Sequence, residues 1–141
     1  MVDYVPYGNT INSEVYCTQL KRLRRIIQNR RRGLLTRGVI FLQDNARPHT
    51  ACVTRELLES FHWDVLGHPP HSPDLAPSDF HLFPFLKKEL GGKRFSTDAE
   101  LIEYVDNWFA EQAEEFYDTG IQKLIKRWDK CLNQGGNYVE K

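Results

Sequence analysis

Two aspartates stand in settings that suit a metal-bound carboxylate. Asp44 ends the apolar run at residues 39–43, and Asp79 follows a proline-rich segment and begins an aromatic-rich helix, with 34 residues between the two. A carboxylate at a strand end and another in a first helical turn can share divalent cations, which activate the attacking water and stabilise the leaving oxygen in phosphodiester cleavage. Such a centre usually needs three or more carboxylates. Taken singly, Asp44 is better interpreted as a polar strand cap and Asp79 as a favourable charge at a helix N-terminus.

Other polar groups lie near these aspartates in sequence. Arg47 and His49 are within five residues of Asp44 and could touch a scissile phosphate, although a solvated Arg and a capping His remain alternatives. His68, His71 and His81 surround the proline segment but have no thiolate at a spacing that favours zinc. No Gly-x-Ser-x-Gly elbow or glycine-rich phosphate loop is present. We therefore expect neither nucleophilic hydrolase chemistry nor nucleotide binding by such a loop.

The charge is uneven along a chain whose formal net charge is zero. Residues 1–37 carry eight Lys or Arg against two acids, whereas residues 38–141 carry eleven against seventeen. A local basic surface of this kind either contacts phosphates or is simply solvated. The candidate DNA-contacting residues in this segment are Lys21, Arg22, Arg24, Arg25, Arg30, Arg31 and Arg32.

Size and composition indicate one globular domain. The 141 residues are 40% apolar, and the longest apolar run, residues 39–42, is far shorter than the roughly 20 residues that span a bilayer. No signal pattern opens the chain, so we expect an intracellular protein without a membrane partner. Cys17, Cys52 and Cys131 lack a Cys-x-x-Cys pair and are expected to be reduced and mostly buried.

The first half predicts a strand, helix, strand unit. A helix should begin at the Asn12 cap and stop at Gly33, followed by a buried strand over 38–43, a helix from Pro48 to about Phe61 and a strand over 63–66. Two strands joined by a helical crossover are typical of a parallel sheet.

The second half predicts helices. Prolines exclude regular structure over 67–78, and the helix that follows Asp79 should kink at Pro84 and end at residues 91–92. The capping-box sequence at Thr97 opens another helix. A break at residues 119–120 should separate a last helix that ends at residues 135–136. Its apolar stripe, Ile121, Leu124, Ile125, Trp128 and Leu132, is expected in the core.

Two strings carry a resemblance to a known family. Residues 42–50, LQDNARPHT, and residues 72–79, SPDLAPSD, resemble the catalytic domain of mariner-family transposases, which include the transposase half of a methyltransferase fusion. The resemblance covers nearly the whole chain. It continues through residues 9–13, 16–17, 92–95, 116–117, 120–121, 127–131 and 136–138.

The resemblance implies a ribonuclease H-like, integrase-type α/β fold with C-terminal helices. Mariner enzymes use three aspartates, the last two separated by 34 residues, to hold Mg²⁺ or Mn²⁺ for DNA cleavage and strand transfer. Asp44 matches the second and Asp79 the third, so both are implied as catalytic and metal-binding. The resemblance also implies DNA as a partner and a nuclear location, leaves a homodimer open and implies no small-molecule cofactor.

The resemblance places the first catalytic aspartate and the first two strands of the sheet upstream of this chain. Asp3 falls where the family has a later strand, at residues 2–5, and is not assigned a catalytic role; His71 stands where the family typically has Tyr. We therefore expect a partial catalytic domain with an edge strand and basic helix (1–37), the unit between the aspartates (38–79) and C-terminal helices (80–141). Negligible cleavage is expected from the chain alone. The alternatives are a non-enzymatic DNA-binding or interaction remnant and a product that does not fold stably.

Overall fold

The computed structural model describes residues 1–135, which divide into two compact units with the boundary between His71 and Ser72. The expectation of one domain stays a prediction. Across residues 1–135, no helix has both the length and the apolar character needed to cross a membrane.

The first unit opens with two helices. Helix α1 spans Ser13–Arg30 and begins as predicted, because the Asn12 side chain accepts a hydrogen bond of 2.8 Å from the Val15 N–H. The prediction that Gly33 ends it is wrong, since the helical path breaks at Arg31 and resumes in α2, Arg32–Arg37, which contains Gly33. Gly38 follows at φ 100°, a conformation that glycine adopts without steric cost.

A two-stranded parallel sheet follows. Strands β1, Ile40–Asp44, and β2, Asp64–His68, pair in a register that sets Asp44 opposite His68. The predicted parallel unit is confirmed, with both strands shifted toward the C-terminus. The prediction that β1 is buried is wrong, because Ile40 is 71% exposed and, within residues 1–135, each strand has only one neighbour. Residues 2–5 likewise form no strand, because the sheet within residues 1–135 consists of β1 and β2.

The crossover is two helices where one was predicted. Helix α3 spans Arg47–Thr50, α4 spans Cys52–Phe61, and Ala51 between them is extended at ψ 147°. The core of this unit is built on Leu20, Leu58 and Trp63. Cys17 is buried, but Cys52 is exposed and Cys131, in the second unit, is half-buried, so the expectation of mostly buried thiols holds only for Cys17.

The second unit carries the segment around Asp79. A 3-10 turn, Pro73–Leu75, and a π-helical turn, Ser78–Leu82, lead into α5, Phe83–Leu90. Pro84 is the second residue of α5, which follows the π-helical turn directly. The kink predicted at Pro84 stays a prediction.

Two longer helices complete the unit. Helix α6, Asp98–Glu111, starts at Thr97, whose side chain accepts from the Glu100 N–H, so the predicted cap is confirmed. Helix α7, Glu114–Asn133, runs through Gly120 without interruption. The predicted break is wrong because Gly120 is buried by close packing rather than freed for a turn.

The expected burial of the last apolar stripe is also wrong for three of its members. Ile121, Ile125 and Leu132 are 60%, 73% and 81% exposed. Gly135 follows α7 at φ 65°, while Gly136 and the family-like residues 137–138 lie outside the described residues.

Candidate active site

Asp44 ends β1 with its carboxylate anchored through one oxygen. Its Oδ1 accepts a hydrogen bond of 3.1 Å from the Ala46 N–H and another from His49 Nδ1. The same nitrogen lies 3.3 Å from the Asp44 carbonyl oxygen, and because both oxygens are acceptors, Nδ1 carries the proton. Within residues 1–135 every contact of this carboxylate falls on Oδ1. Oδ2 is thereby left to bind a cation.

His49 is held in turn by α1 and β1. The Tyr16 ring packs on the imidazole with centroids 4.1 Å apart, and the Tyr16 hydroxyl donates a 2.7 Å hydrogen bond to Gln43 Oε1. Gln43 Nε2 donates to the His49 carbonyl at 3.5 Å. Burial, together with the nearby charges of Asp44 and Cys17, raises the pKa of Tyr16 well above its usual range, so the phenol is a neutral donor. The cluster of Tyr16, Gln43 and His49 thus fixes the orientation of Asp44.

Sequence reasoning missed two members of this cluster and gave the third another task. No sequence motif assigns a role at this site to Tyr16, which lies within the first helix, or to Gln43, which ends the predicted strand. His49 was predicted to touch DNA, but its Nδ1 is engaged by Asp44. A polar residue ending an apolar strand, followed six positions later by His, was the available signal. Arg47, by contrast, is exposed at the start of α3.

Asp79 lies in the second unit, exposed at the second position of the π-helical turn. Its backbone N–H donates to the Ala76 carbonyl at 2.9 Å, which joins the turn to the end of the proline segment. Asp44 and Asp79 belong to different units, so their meeting at one cation stays a prediction. No cluster of three or more His, Cys, Asp or Glu side chains suited to a metal occurs among residues 1–135.

The structure sorts the predicted basic residues into two groups. Arg24 is half-buried, with its guanidinium 5.1 Å from the Phe61 ring centroid, so it packs on Phe61 while its DNA contact stays a prediction. Arg22 forms a 2.9 Å ion pair with Asp3 and stays largely exposed. We call the exposed set the basic surface: Lys21, Arg22, Arg25, Arg30, Arg31 and Arg32.

Comparison with other proteins places this geometry among transposases. The chain is 44% identical over 135 residues to the Mariner Mos1 transposase of Drosophila mauritiana, covering 94% of this chain and 39% of that protein. It is 40% identical over 134 residues to the human histone-lysine N-methyltransferase SETMAR, covering 94% of this chain and 20% of SETMAR. The chain therefore spans about two fifths of Mos1 and a fifth of SETMAR. No protein-family model matches it.

Solved structures agree. The Mos1 catalytic domain with raltegravir and Mn superposes with a TM-score of 0.89 at 43% identity, covering 96% of this chain and 69% of that one. The same domain with Mg gives 0.87 at 44% identity, covering 94% and 67%. The Mos1 paired-end complex with Mn gives 0.86 at 45% identity, covering 94% and 39%. These matches confirm the ribonuclease H-like, integrase-type fold class that the sequence predicts.

Proposed function

We propose a function from the finding that this chain belongs to the mariner family of transposases. The chain would supply part of a metal-dependent centre for DNA cleavage and strand transfer. Asp44 and Asp79 are the proposed metal ligands and catalytic carboxylates. The observation that carries the proposal is the Asp44 carboxylate at the carboxyl end of a parallel strand, anchored through Oδ1 alone. A carboxylate held in this way is oriented before a cation arrives, which favours binding.

The proposed cation is Mg²⁺ or Mn²⁺. Structures of the Mos1 catalytic domain were solved with each of these metals, and carboxylate oxygens are the ligands both prefer. A bound cation would supply Lewis acidity and an activated water. In this chain, Asp44 would bind through Oδ2 while His49 holds its other oxygen, and Asp79 would bind from the π-helical turn.

Two carboxylates hold a divalent cation more weakly than three. Because the described part of the chain has no three-membered cluster of candidate ligands, we expect weak Mn²⁺ binding and negligible DNA cleavage by these 141 residues alone. An Mn²⁺-dependent nicking assay on supercoiled DNA checks this. Robust nicking that Asp44→Asn abolishes would contradict the expectation and show that the 141 residues hold a complete centre.

Metal binding itself is tested by paramagnetic broadening of amide signals during an Mn²⁺ titration. The proposal expects broadening near residues 44–46 and 78–82 that Asp44→Asn and Asp79→Asn remove at their respective positions. Asp64→Asn is a matched control, because Asp64 is an exposed residue at the start of β2, whereas Asp44 pairs with His68 at the end of that strand. Broadening centred elsewhere, or unchanged in both variants, would refute the proposed ligands.

DNA is the proposed partner, contacted by the basic surface and by Arg47. Mos1 is found in paired-end complexes and in a strand transfer complex, which supports DNA binding and, by extension, a homodimer. By the same family relationship, the proposed location of the chain is the nucleus. Each cationic side chain that neutralises a DNA phosphate releases counterions, so the affinity falls as the salt concentration rises. In a plot of log affinity against log salt concentration, each contact contributes about −0.9 to the slope. Binding that is insensitive to salt would contradict this use of the basic surface.

A second candidate is a DNA-binding remnant without catalysis, favoured by the six exposed cations of the basic surface. It differs from the leading proposal in one measurable respect. A remnant keeps its salt-dependent DNA affinity and gains nothing from Mn²⁺, and Asp79→Asn leaves both properties unchanged. An increase in DNA affinity with Mn²⁺ that Asp79→Asn abolishes would exclude it.

A further inference from the structure

One face of α7 packs against the segment that carries Asp79. Phe116, Gly120 and Arg127 lie four and seven residues apart, a spacing that places them on the same side of an α-helix. Each makes a contact within the second unit to a residue on one or other side of Asp79 in sequence. These positions lie in segments that carry the resemblance to the mariner family, which assigns none of them a part in metal binding.

Arg127 reaches both sides of Asp79. Its guanidinium lies 4.2 Å from the ring centroid of Phe80, the residue after Asp79. Its Nη1 donates a 3.3 Å hydrogen bond to the carbonyl of Asp74, in the 3-10 turn before Asp79. Arginine can do both at once because its guanidinium is planar and carries several donors, whereas the compact Lys ammonium lacks the planar group that stacks on the ring while donating from its edge.

His81 fixes the following residues. It is 3% exposed, and its Nε2 donates a 2.6 Å hydrogen bond to the Phe116 carbonyl. A Cβ on Gly120 would lie 2.5 Å from His81 Cδ2, so the imidazole lies directly against the α7 backbone. The π-helical turn is therefore held to α7 immediately after Asp79 as well.

We propose that Arg127 is the positioning residue for Asp79, bracing the Asp74 carbonyl and the Phe80 ring so that the carboxylate is presented in one direction. The inference rests on the proposed role of Asp79 as a metal ligand. Asp79 is exposed and lies on a single π-helical turn, a rare conformation that is frequent at functional sites. Residues that orient a metal ligand typically affect cation affinity by about 10- to 100-fold.

The sign of the effect separates positioning from electrostatics. Removing a positive charge near a carboxylate strengthens cation binding if charge alone matters, because Arg and Mn²⁺ repel each other. Removing a brace weakens binding, because the ligand must then be ordered when the cation arrives. Arg127→Met tests which dominates, and Lys126→Met, at an exposed neighbour on α7, removes the same charge without these contacts.

The experiment is an Mn²⁺ titration of the 141-residue chain, followed by broadening of the amides at residues 78–82. We expect Arg127→Met to raise the apparent Kd at these amides about tenfold, Arg127→Lys to raise it less, and Lys126→Met to leave it unchanged or lower it. Unfolding in urea, followed in parallel, reports any general loss of stability, which by itself would not change the Kd of the folded chain.

An unchanged or lower Kd in Arg127→Met, with the amide positions of α5 to α7 retained, would overturn the inference while leaving the proposed function intact. Absence of Asp79-dependent broadening in the unsubstituted chain would refute the metal site itself, and the brace with it. If Arg127→Met loses its dispersed amide spectrum, Arg127→Lys decides: a Kd equal to that of the unsubstituted chain then contradicts a role for the planar guanidinium.

Discussion

Substituting Gly120 by Ala reverses the usual effect of this change in a helix. In an open helical position, Gly→Ala stabilises by about 1 kcal/mol, because alanine has the higher helix propensity. At Gly120 the new methyl would lie 2.5 Å from His81 Cδ2 and 2.9 Å from Cγ, closer than non-bonded carbon atoms approach. The imidazole, 3% exposed and packed between the rings of Phe85 and Phe116, has to move.

The cost of that movement sets the magnitude. Overpacking a filled site costs about 1–3 kcal/mol, and loss of the hydrogen bond from His81 Nε2 to the Phe116 carbonyl adds about 1–3 kcal/mol for the unsatisfied groups. Set against the propensity gain, the free energy of unfolding should fall by about 1–5 kcal/mol. Urea unfolding, together with amide exchange in α7, measures it.

Two controls test whether the close contact with His81 causes the loss of stability. Gly33→Ala, in α2, places its methyl 3.7 Å from Arg37 Nη2 and should stabilise or be neutral. In a His81→Ala background the clash is absent, so Gly120→Ala should then stabilise by about 1 kcal/mol, a change of sign within one double-mutant cycle. If Gly120→Ala stabilises the unsubstituted chain, or destabilises equally in both backgrounds, the close contact with His81 is not the reason for glycine.

Three further tests concern residues of the first unit. Folding raises the pKa of Tyr16, so the unfolded chain loses the phenolic proton first as pH rises past the ordinary value of 10.0. The free energy of unfolding should therefore decline above that pH. Urea unfolding at a series of pH values should show a flatter decline for Tyr16→Phe. Thr54→Val should lower the free energy of unfolding by about 1–3 kcal/mol, because the fully buried hydroxyl donates a 2.6 Å hydrogen bond to the Pro48 carbonyl. Thr50→Val, at an exposed position, is the comparison. Equal effects of the two substitutions would refute the buried hydrogen bond as the cause. In DNA-binding titrations, Arg25→Gln should reduce the salt slope by about 1, whereas Arg24→Gln should leave it unchanged and lower stability; the opposite ranking would show that Arg24 leaves Phe61 to contact phosphate.

Features with a local cause were predictable from sequence. Asn12 and Thr97 cap their helices as predicted, since an N-cap side chain bonds an N–H only two or three residues away. The parallel pairing of β1 and β2 followed from two apolar strands separated by a helix. The aspartate spacing and the surrounding motifs likewise pointed to the mariner family, which the comparisons confirm.

Features that depend on distant neighbours were not predictable. The sequence predicts a helix break at Gly120, because glycine often ends a helix. The residue that requires glycine there, His81, lies 39 positions earlier in the chain and leaves no local signal. Arg24 was grouped with other cations, although its packing depends on Phe61. Ile121, Ile125 and Leu132 have the periodicity of a core stripe and are nonetheless exposed.

The candidate site shows the same division. Residue types and local sequence were enough to identify Asp44 and Asp79 as carboxylates suited to a divalent cation, because that chemistry depends on the groups themselves. Only the tertiary structure could show that His49 bonds Asp44 with Tyr16 packed on its imidazole, and that Arg127 braces the residues on either side of Asp79. Orientation of a ligand depends on side chains brought together by folding from distant parts of the chain, and a linear pattern carries no record of which of them meet.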